Sequence, residues 1–231
     1  EAIGAVNAGA FDVGAACAGF IYSLATASSM VESGLASKIL VVGVDVLSKS
    51  VDYTDRSVCI LFGDGAGAVV VEAQEDTDRG VLATVLLADG TGGPRICQEV
   101  GGSKYPYGTP QAEGHQHSMY MDGSAVYKFA VRAMADACMK AIEKAGITSN
   151  DIDLFVPHQA NLRIIRSAQN DLNLSDDRVF VNVDKYGNTS AGSIPIALYE
   201  AVQSGKLKKG MTVLTVGFGA GLVWGANIIR W

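Results

Sequence analysis

The amino-acid sequence predicts an α/β fold, and two observations carry that prediction. Short runs rich in Val, Ile and Leu alternate with longer segments whose apolar residues recur at helical spacing. The chain also contains an internal repeat in the order strand, helix, strand, strand. With 231 residues, of which 48% are hydrophobic, the chain can bury the core of one or two domains.

The predicted strands are nearly continuous apolar runs, a pattern typical of strands that are covered on both faces of a sheet. In chain order they are residues 10–13, 39–44, 66–72, 82–88, 154–156, 179–183, 212–216 and 224–230. The predicted helices lie between them, at residues 17–33, 124–145, 159–172 and 193–204. The remaining long segment, residues 90–123, lacks periodicity and is predicted to be a surface excursion.

The repeat relates two distant parts of the chain. The stretch FDVGAACAGFIYSLATASSMVESG ends at Gly34, and the stretch VNVDKYGNTSAGSIPIALYEAVQSG ends at Gly205. Each is followed by a Lys-containing turn, a strand, a Gly-rich turn and a further strand. Aligning the two end points without gaps places Cys17 opposite Asn188. Two pseudo-symmetric halves would therefore bring these two helix starts to matching positions.

Charge and cysteine usage exclude several classes of protein. The net charge of −6 argues against nucleic-acid binding. No apolar run is long enough to predict a membrane span, and no signal peptide is visible. The four cysteines are widely spaced and contain no C-x-x-C, which argues against a disulfide framework and a structural zinc site. This usage favours a reducing, cytoplasmic compartment.

Three residues are candidates for chemistry. Cys17 lies at a predicted strand–helix junction, where the helix N-terminus would stabilise a thiolate. His158 follows a strand and precedes a helix, at the edge of the sheet where α/β active sites gather. Asn188 lies before Thr-Ser at the start of another helix. Structural roles stay open for all three: a buried thiol, a packing histidine and a helix cap.

Four further positions have weaker signals. Asn161 follows His158 by three residues and would share a helix face with it if the helix begins early. Arg163 and Arg166 on the same helix are candidates for an acidic partner or a phosphate, although solvated charge is the simpler interpretation. The segments GDGAGA and GFGAG lack the features of nucleotide-binding loops and predict tight turns. The backbone N–H at Ala220 is a candidate oxyanion donor.

The segments ACAGF, FGDGAGA, VPHQANLRII, KYGNTSAGSIPIAL and GFGAGLVWGA together resemble the β-ketoacyl-acyl-carrier-protein synthase III family of bacteria, which starts fatty-acid chains. The resemblance covers nearly the whole chain except residues 90–123. It implies the five-layered αβαβα thiolase fold with two pseudo-symmetric halves, residues 1–78 and residues 79–231. The first half is expected to be incomplete, because roughly the first third of a family-length chain is absent.

The resemblance also implies a mechanism. Cys17 would attack acyl-coenzyme A and hold the acyl group as a thioester. His158 and Asn188 would face the carbonyl of malonyl-acyl-carrier-protein, whose decarboxylation gives the carbanion that attacks the thioester. The backbone at Cys17 and Ala220 would form an oxyanion hole. No metal or organic cofactor is implied, and a homodimer is expected.

Further contacts are implied for five side chains around this site. The resemblance implies that Arg56 lies beside the coenzyme A adenine, that Asn161 contacts pantetheine and that Phe218 gates the cysteine. It also implies that Arg163 and Arg166 contact the carrier protein.

Other interpretations stay open. A papain-like protease also has Cys, His and Asn in this order, but its C-G-S-C-W signature is missing. A polyketide or quinolone starter synthase, or a hydroxymethylglutaryl-coenzyme A synthase, would share the fold and differ in the primer. A fragment that folds and dimerises without catalysis is the remaining alternative.

Overall fold

The computed structural model describes residues 2–75 and 78–231 and confirms the predicted α/β fold. Its helices are α1 (Gly19–Glu32), α2 (Gly123–Ala145), α3 (Leu162–Asp171), α4 (Val183–Tyr186) and α5 (Ser193–Gln203). Its strands are β1 (Lys38–Asp45), β2 (Gly65–Glu72), β3 (Gly80–Ala88), β4 (Ile96–Cys97), β5 (Tyr120–Met121), β6 (Leu154–Pro157), β7 (Thr212–Gly219) and β8 (Val223–Arg230). No helix in the described part of the chain is both long and apolar enough to cross a membrane.

The strands form one large sheet and two small ones. The large sheet has the order β3-β8-β7-β6, in which β6 and β7 are parallel and the other neighbours are antiparallel. Strands β1 and β2 pair antiparallel with each other, and so do the short strands β4 and β5. In this mixed sheet the carboxyl ends of the parallel strands β6 and β7 lie side by side. The candidate histidine, His158, directly follows β6.

The elements stack in alternating layers. Helices α1 and α5 lie between the β1–β2 pair and one face of the large sheet, in a core that includes Phe20, Ile21 and Leu198. Helices α2 and α3 cover the opposite face through a second core that includes Met134 and Phe155. The outer face of β1–β2 is apolar and exposed, with side chains that alternate with the buried ones: Leu40, Val42, Val44 and Val70.

The helix–strand–strand part of the internal repeat is present in the structure. Helix α1 leads into the antiparallel pair β1–β2, and helix α5 leads into the antiparallel pair β7–β8. The residues that precede Cys17 and Asn188 both have positive φ, +45° at Ala16 and +66° at Gly187. The two aligned positions therefore both follow a residue with positive φ, and they occupy the same place in the order of elements.

Two predicted strands are wrong. Residues 10–13 have no regular structure and lie largely exposed, because no strand in the described residues pairs with them. In the segment 179–183, only Val179 bridges to Phe155, and the chain then turns into α4. The side chain of Gln159 accepts a hydrogen bond from the backbone N–H of Asn182 at 2.9 Å, so a side chain replaces the partner strand there.

The prediction that every strand is covered on both faces holds only for part of the large sheet. Strands β6 and β7 are buried along their whole length. Strands β1, β2 and β3 instead alternate between inward and exposed residues. Apolar composition alone therefore does not distinguish a doubly covered strand from one with an open apolar face.

Candidate active site

Two cavities meet at Cys17. The first has a volume of about 160 Å³, and its lining includes Cys17, His158 and Asn188, so all three candidate residues share one cavity. The second has a volume of about 150 Å³, and its lining includes Cys17, Asp45 and Ala220. Cys17 therefore lies where the two cavities adjoin.

Cys17 is positioned by a tight turn that packs against the end of β7. It lies in a 3₁₀ turn, Ala16–Ala18, directly before α1. A Cβ built on Gly219 would lie 2.6 Å from the Cys17 nitrogen, and a Cβ on Gly217 would lie 3.4 Å from the Cys17 oxygen. Gly219 therefore leaves the space that the cysteine turn occupies, whereas a Cβ on Gly217 would only come into close contact with that turn.

The electrostatic setting of Cys17 differs from the predicted one. The helix start predicts a stabilised thiolate, whereas burial raises the pKa of the Cys17 thiol to about 11. A hydrogen bond with the Ser190 side chain opposes this rise, and the nearby Asp45 carboxylate adds to it. The resting residue is consequently a neutral thiol, because desolvation outweighs the local hydrogen bonds.

His158 is held rigidly at the end of β6. Its backbone N–H donates to the oxygen of Val216 in β7 at 2.8 Å, which continues the parallel ladder by one residue. Its ring packs edge-on against Phe218, with 5.5 Å between the ring centroids. Nδ1 lies 2.6 Å from the Ser193 hydroxyl oxygen, whereas Nε2 is buried without a partner in the described residues.

Burial also sets the protonation of His158. The residue is only 1% exposed, and burial lowers the pKa of its imidazole to about 3. The ring is therefore neutral near pH 7, with one N–H donor and one acceptor nitrogen.

Asn188 presents its amide group to the same cavity. Its backbone N–H donates to the oxygen of Leu61, and its backbone oxygen accepts from Gly63, each at 2.9 Å. Its side-chain Oδ1 accepts from the backbone N–H of Ser190 at 2.8 Å. With the oxygen engaged in this way, the NH₂ group of Asn188 is the part that can donate to a ligand.

Two of the other predicted contacts line the first cavity, and a third directly precedes a lining residue in the sequence. Asn161 and Phe218 both line this cavity. Asn161 is the N-cap of α3, with its Oδ1 accepting from the backbone N–H of Arg163 at 2.8 Å. Because the helix begins after Asn161, the condition under which this residue would share a helix face with His158 is not met. Arg56 is exposed, next to the cavity-lining Ser57.

The two arginines of α3 differ in their surroundings. Arg163 is exposed at the start of the helix. Arg166 instead pairs with Asp176, with 2.6 Å between Nη1 and Oδ1, and also donates to Gln169. Part of the hydrogen-bonding capacity of Arg166 is therefore taken up within the chain.

Several residues of the site were not predicted from the sequence. Ser190 forms a hydrogen bond with Cys17, Ser193 contacts His158, and Asp45 lines the second cavity. Both serines are in the segment GNTSAGS after Asn188, where small polar residues at a helix start are the available signal. The excursion 90–123 also contributes cavity-lining side chains: Ile96, Cys97, Gln98, Met119 and Met121.

Comparison by sequence places the chain among known proteins. The family described as 3-oxoacyl-[acyl-carrier-protein (ACP)] synthase III matches residues 11–90, and the C-terminal part of that synthase matches residues 142–231. A β-ketoacyl-[acyl-carrier-protein] synthase III from Caldanaerobacter subterraneus subsp. tengcongensis is 48% identical over 229 residues. The aligned region covers 99% of this chain and 69% of that protein.

Comparison by structure agrees with this result. The chain is similar to a β-ketoacyl-[acyl carrier protein] synthase III from Thermus thermophilus, with a TM-score of 0.88 and 50% identity over 96% of this chain and 67% of that one. It is also similar to the priming β-ketosynthase from the R1128 polyketide biosynthetic pathway, with a TM-score of 0.87 and 38% identity over 99% and 67% of the two chains. These similarities confirm the predicted thiolase-like fold.

Proposed function

The chain belongs to the 3-oxoacyl-[acyl-carrier-protein] synthase III family of condensing enzymes that initiate fatty-acid synthesis, and from this premise we propose its detailed reaction. The enzyme transfers an acyl group from acyl-coenzyme A to Cys17 and then condenses it with malonyl-acyl-carrier-protein, with loss of carbon dioxide. The observation that carries this proposal is the single cavity lined by Cys17, His158 and Asn188. A thiol and two N–H donors are the groups that the two half-reactions need.

The first half-reaction is a thioester exchange. The sulfur of Cys17 forms a bond to the acyl carbon, the bond from that carbon to the coenzyme A sulfur breaks, and the thiol proton ends on coenzyme A. The neutral thiol of Cys17 has to lose its proton as the acyl group arrives, since its pKa is about 11. Backbone N–H groups at Cys17 and Ala220 are the proposed donors to the oxyanion that forms.

The second half-reaction begins with decarboxylation. Loss of carbon dioxide from the malonyl group leaves an enolate, whose negative charge lies largely on the thioester oxygen. We propose that the Nε2 side of His158 and the NH₂ group of Asn188 donate to that oxygen. The enolate carbon then attacks the acyl carbon on Cys17, the carbon–sulfur bond breaks, and the thiolate takes up a proton from solvent.

The surroundings of the cavity suggest how the substrates bind. Exposed Arg56 is the proposed neighbour of the coenzyme A adenine, and cavity-lining Asn161 is the proposed contact of the pantetheine arm. Phe218 packs against the His158 ring and lines the cavity together with Cys17, so it is the proposed gate over the cysteine. Exposed Arg163 is the proposed contact for the acidic carrier protein, with Arg166 in support. A cytoplasmic homodimer is part of the same proposal.

The experiment is a condensation assay with defined substrates. The protein is incubated with acetyl-coenzyme A and malonyl-acyl-carrier-protein, and the carrier protein is weighed by intact mass spectrometry. The proposal predicts an acetoacetyl adduct on the carrier protein and an equal amount of carbon dioxide. Cys17→Ala should give no adduct. Absence of the adduct from the wild-type chain would contradict the proposal.

A second candidate is a starter reaction in polyketide synthesis, which the similarity to the R1128 priming synthase favours. The two candidates share Cys17, His158 and Asn188 and differ in the carrier protein and the primer. The same assay, run with a fatty-acid carrier and with a polyketide carrier, separates them. The carrier that is extended at the higher kcat/KM identifies the pathway. Family membership disfavours the papain-like hydrolase considered from the sequence.

A further inference from the structure

Ser193 is the only side-chain partner of the His158 ring nitrogens in the described part of the chain. It is the first residue of α5, is 2% exposed, and its hydroxyl oxygen lies 2.6 Å from Nδ1 of His158. The backbone N–H of Gln159 reaches the same oxygen at 3.3 Å. Two neighbouring groups on the β6–α3 turn thus converge on one buried hydroxyl.

The direction of these hydrogen bonds follows from what each group can do. A hydroxyl has one hydrogen to donate and two lone pairs, whereas a backbone N–H can only donate. Gln159 therefore takes up one lone pair of the Ser193 oxygen. No other acceptor for the Ser193 hydrogen occurs among residues 2–75 and 78–231, so this hydrogen is left for Nδ1 of His158.

A protonated Nδ1 would conflict with this arrangement. Nδ1–H would direct its hydrogen at the serine oxygen, and the buried serine hydrogen would lose its acceptor. With the serine as donor, Nδ1 is an acceptor and the single proton of the neutral ring lies on Nε2. Nε2 is buried, lacks a partner in the described residues, and belongs to a ring that lines the cavity with Cys17 and Asn188.

We propose that Ser193 is a positioning residue that holds His158 in the Nε2–H tautomer by donating its hydroxyl hydrogen to Nδ1. This assignment deepens the proposed function, because a cavity-facing N–H is what stabilisation of the enolate oxygen requires. The expected effect of Ser193 on catalysis therefore rests on the proposed function, whereas the assignment of the tautomer does not. Ser193 touches neither substrate nor reacting atoms and acts through the imidazole.

The direct test reads the nitrogens of the ring. The protein is labelled with ¹⁵N-histidine, and two-bond proton–nitrogen spectra are recorded at pH 7. The chain has only three histidines, so the variant His115→Asn/His117→Asn leaves the signals of His158 alone. The wild type should show a protonated Nε2 and an unprotonated Nδ1 shifted by an accepted hydrogen bond. Ser193→Ala should lose that shift or show the Nδ1–H tautomer, while Ser193→Thr should keep the wild-type pattern.

A matched control removes a different buried hydroxyl. Thr215 is fully buried in β7, and its hydroxyl has no partner in the described residues, so Thr215→Val leaves the ring environment intact. Its histidine spectrum should equal that of the wild type. A protonated Nδ1 in the wild type would overturn the proposal, and so would an unchanged Nδ1 signal in folded Ser193→Ala.

A kinetic measurement separates positioning from a structural role. Ser193→Ala should lower kcat for decarboxylation of malonyl-acyl-carrier-protein about tenfold, less than the loss of an oxyanion donor itself. KM for the malonyl substrate and the rate of Cys17 acylation should stay as in the wild type, and Ser193→Thr should restore kcat. A kcat for decarboxylation in Ser193→Ala equal to that of the wild type would contradict the proposal. An inactive wild type would instead contradict the proposed function, and the nitrogen spectra would still decide the tautomer.

Discussion

Gly219 lies so close to Cys17 that a Cβ on the glycine would be 2.6 Å from the cysteine nitrogen. The same strand, β7, also accepts the backbone hydrogen bond of His158 through Val216. One strand therefore positions both the thiol and the imidazole, which explains how residues 141 positions apart in the chain (158 − 17) face a common cavity.

Substitution of this glycine should disturb the site through the backbone. Gly219→Ala should lower the free energy of unfolding by about 1–3 kcal/mol, because the added methyl group meets backbone atoms that cannot move aside cheaply. It should also slow acylation of Cys17. Urea unfolding and intact mass measure the two effects. The control Gly14→Ala, whose Cβ meets nothing within 4 Å, should cost less than about 0.5 kcal/mol.

The raised pKa of Cys17 predicts how alkylation depends on pH. Since the thiol titrates near pH 11, the rate of carbamidomethylation by iodoacetamide should rise about tenfold per pH unit from pH 7 to pH 9. Asp45→Asn should speed the reaction by removing a repelling charge, and Ser190→Ala should slow it by removing a stabilising hydrogen bond. Mapping of the peptide that contains Cys17 gives the rate. A rate that is already constant below pH 8 would mean that the resting residue is a thiolate.

Burial of His158 predicts an acid-sensitive fold. Its pKa is about 3 in the folded state and near 6.5 in the unfolded chain, so the unfolded state binds more protons between these values. The contribution of this residue to the free energy of unfolding is fully present above pH 6.5. It falls by about 1.4 kcal/mol for each pH unit as the pH decreases from 6.5 towards 3. Urea unfolding at pH 4 to 7 should show this extra slope in the wild type relative to His158→Gln. The same pH dependence of the free energy of unfolding in the wild type and in His158→Gln would contradict this prediction.

Removal of the Asn188 amide should separate the two half-reactions. Asn188→Ala should keep acylation of Cys17 and lower decarboxylation of malonyl-acyl-carrier-protein by about 10²–10³-fold, because only the second step uses this donor. The matched control is Asn182→Ala, which removes a buried amide that donates to Glu200 instead of facing the cavity. Equal losses of both steps in Asn188→Ala would point to a general disturbance of the site.

Much of the fold was predictable because its elements are long and regular. The predicted strands 39–44 and 66–72 and the helix 124–145 match β1, β2 and α2 to within two residues. No strand forms at residues 10–13 or 179–183, because residues with β-propensity form a strand only where a neighbouring strand can pair with them.

The predicted boundary between the two halves after residue 78 and the expected homodimer remain predictions.

The site was predictable in part for a related reason. The internal repeat paired Cys17 with Asn188, and the end of a buried strand placed His158 near them, so local patterns pointed to the right residues. The pKa of Cys17 was predicted in the wrong direction, because desolvation depends on layers packed over the residue rather than on its own helix. Ser193 contacts His158, and the ends of the excursion 90–123 line the cavities, only through tertiary packing.

Acylation of Cys17 is the most direct test of the proposed reaction. The protein is incubated with acetyl-coenzyme A and, separately, with branched acyl-coenzyme A, and then intact mass is recorded and the adduct is mapped. We expect one acyl group on the peptide that contains Cys17, none in Cys17→Ala, and full acylation in His158→Gln. An unmodified Cys17, or an adduct on another cysteine that persists in Cys17→Ala, would contradict it.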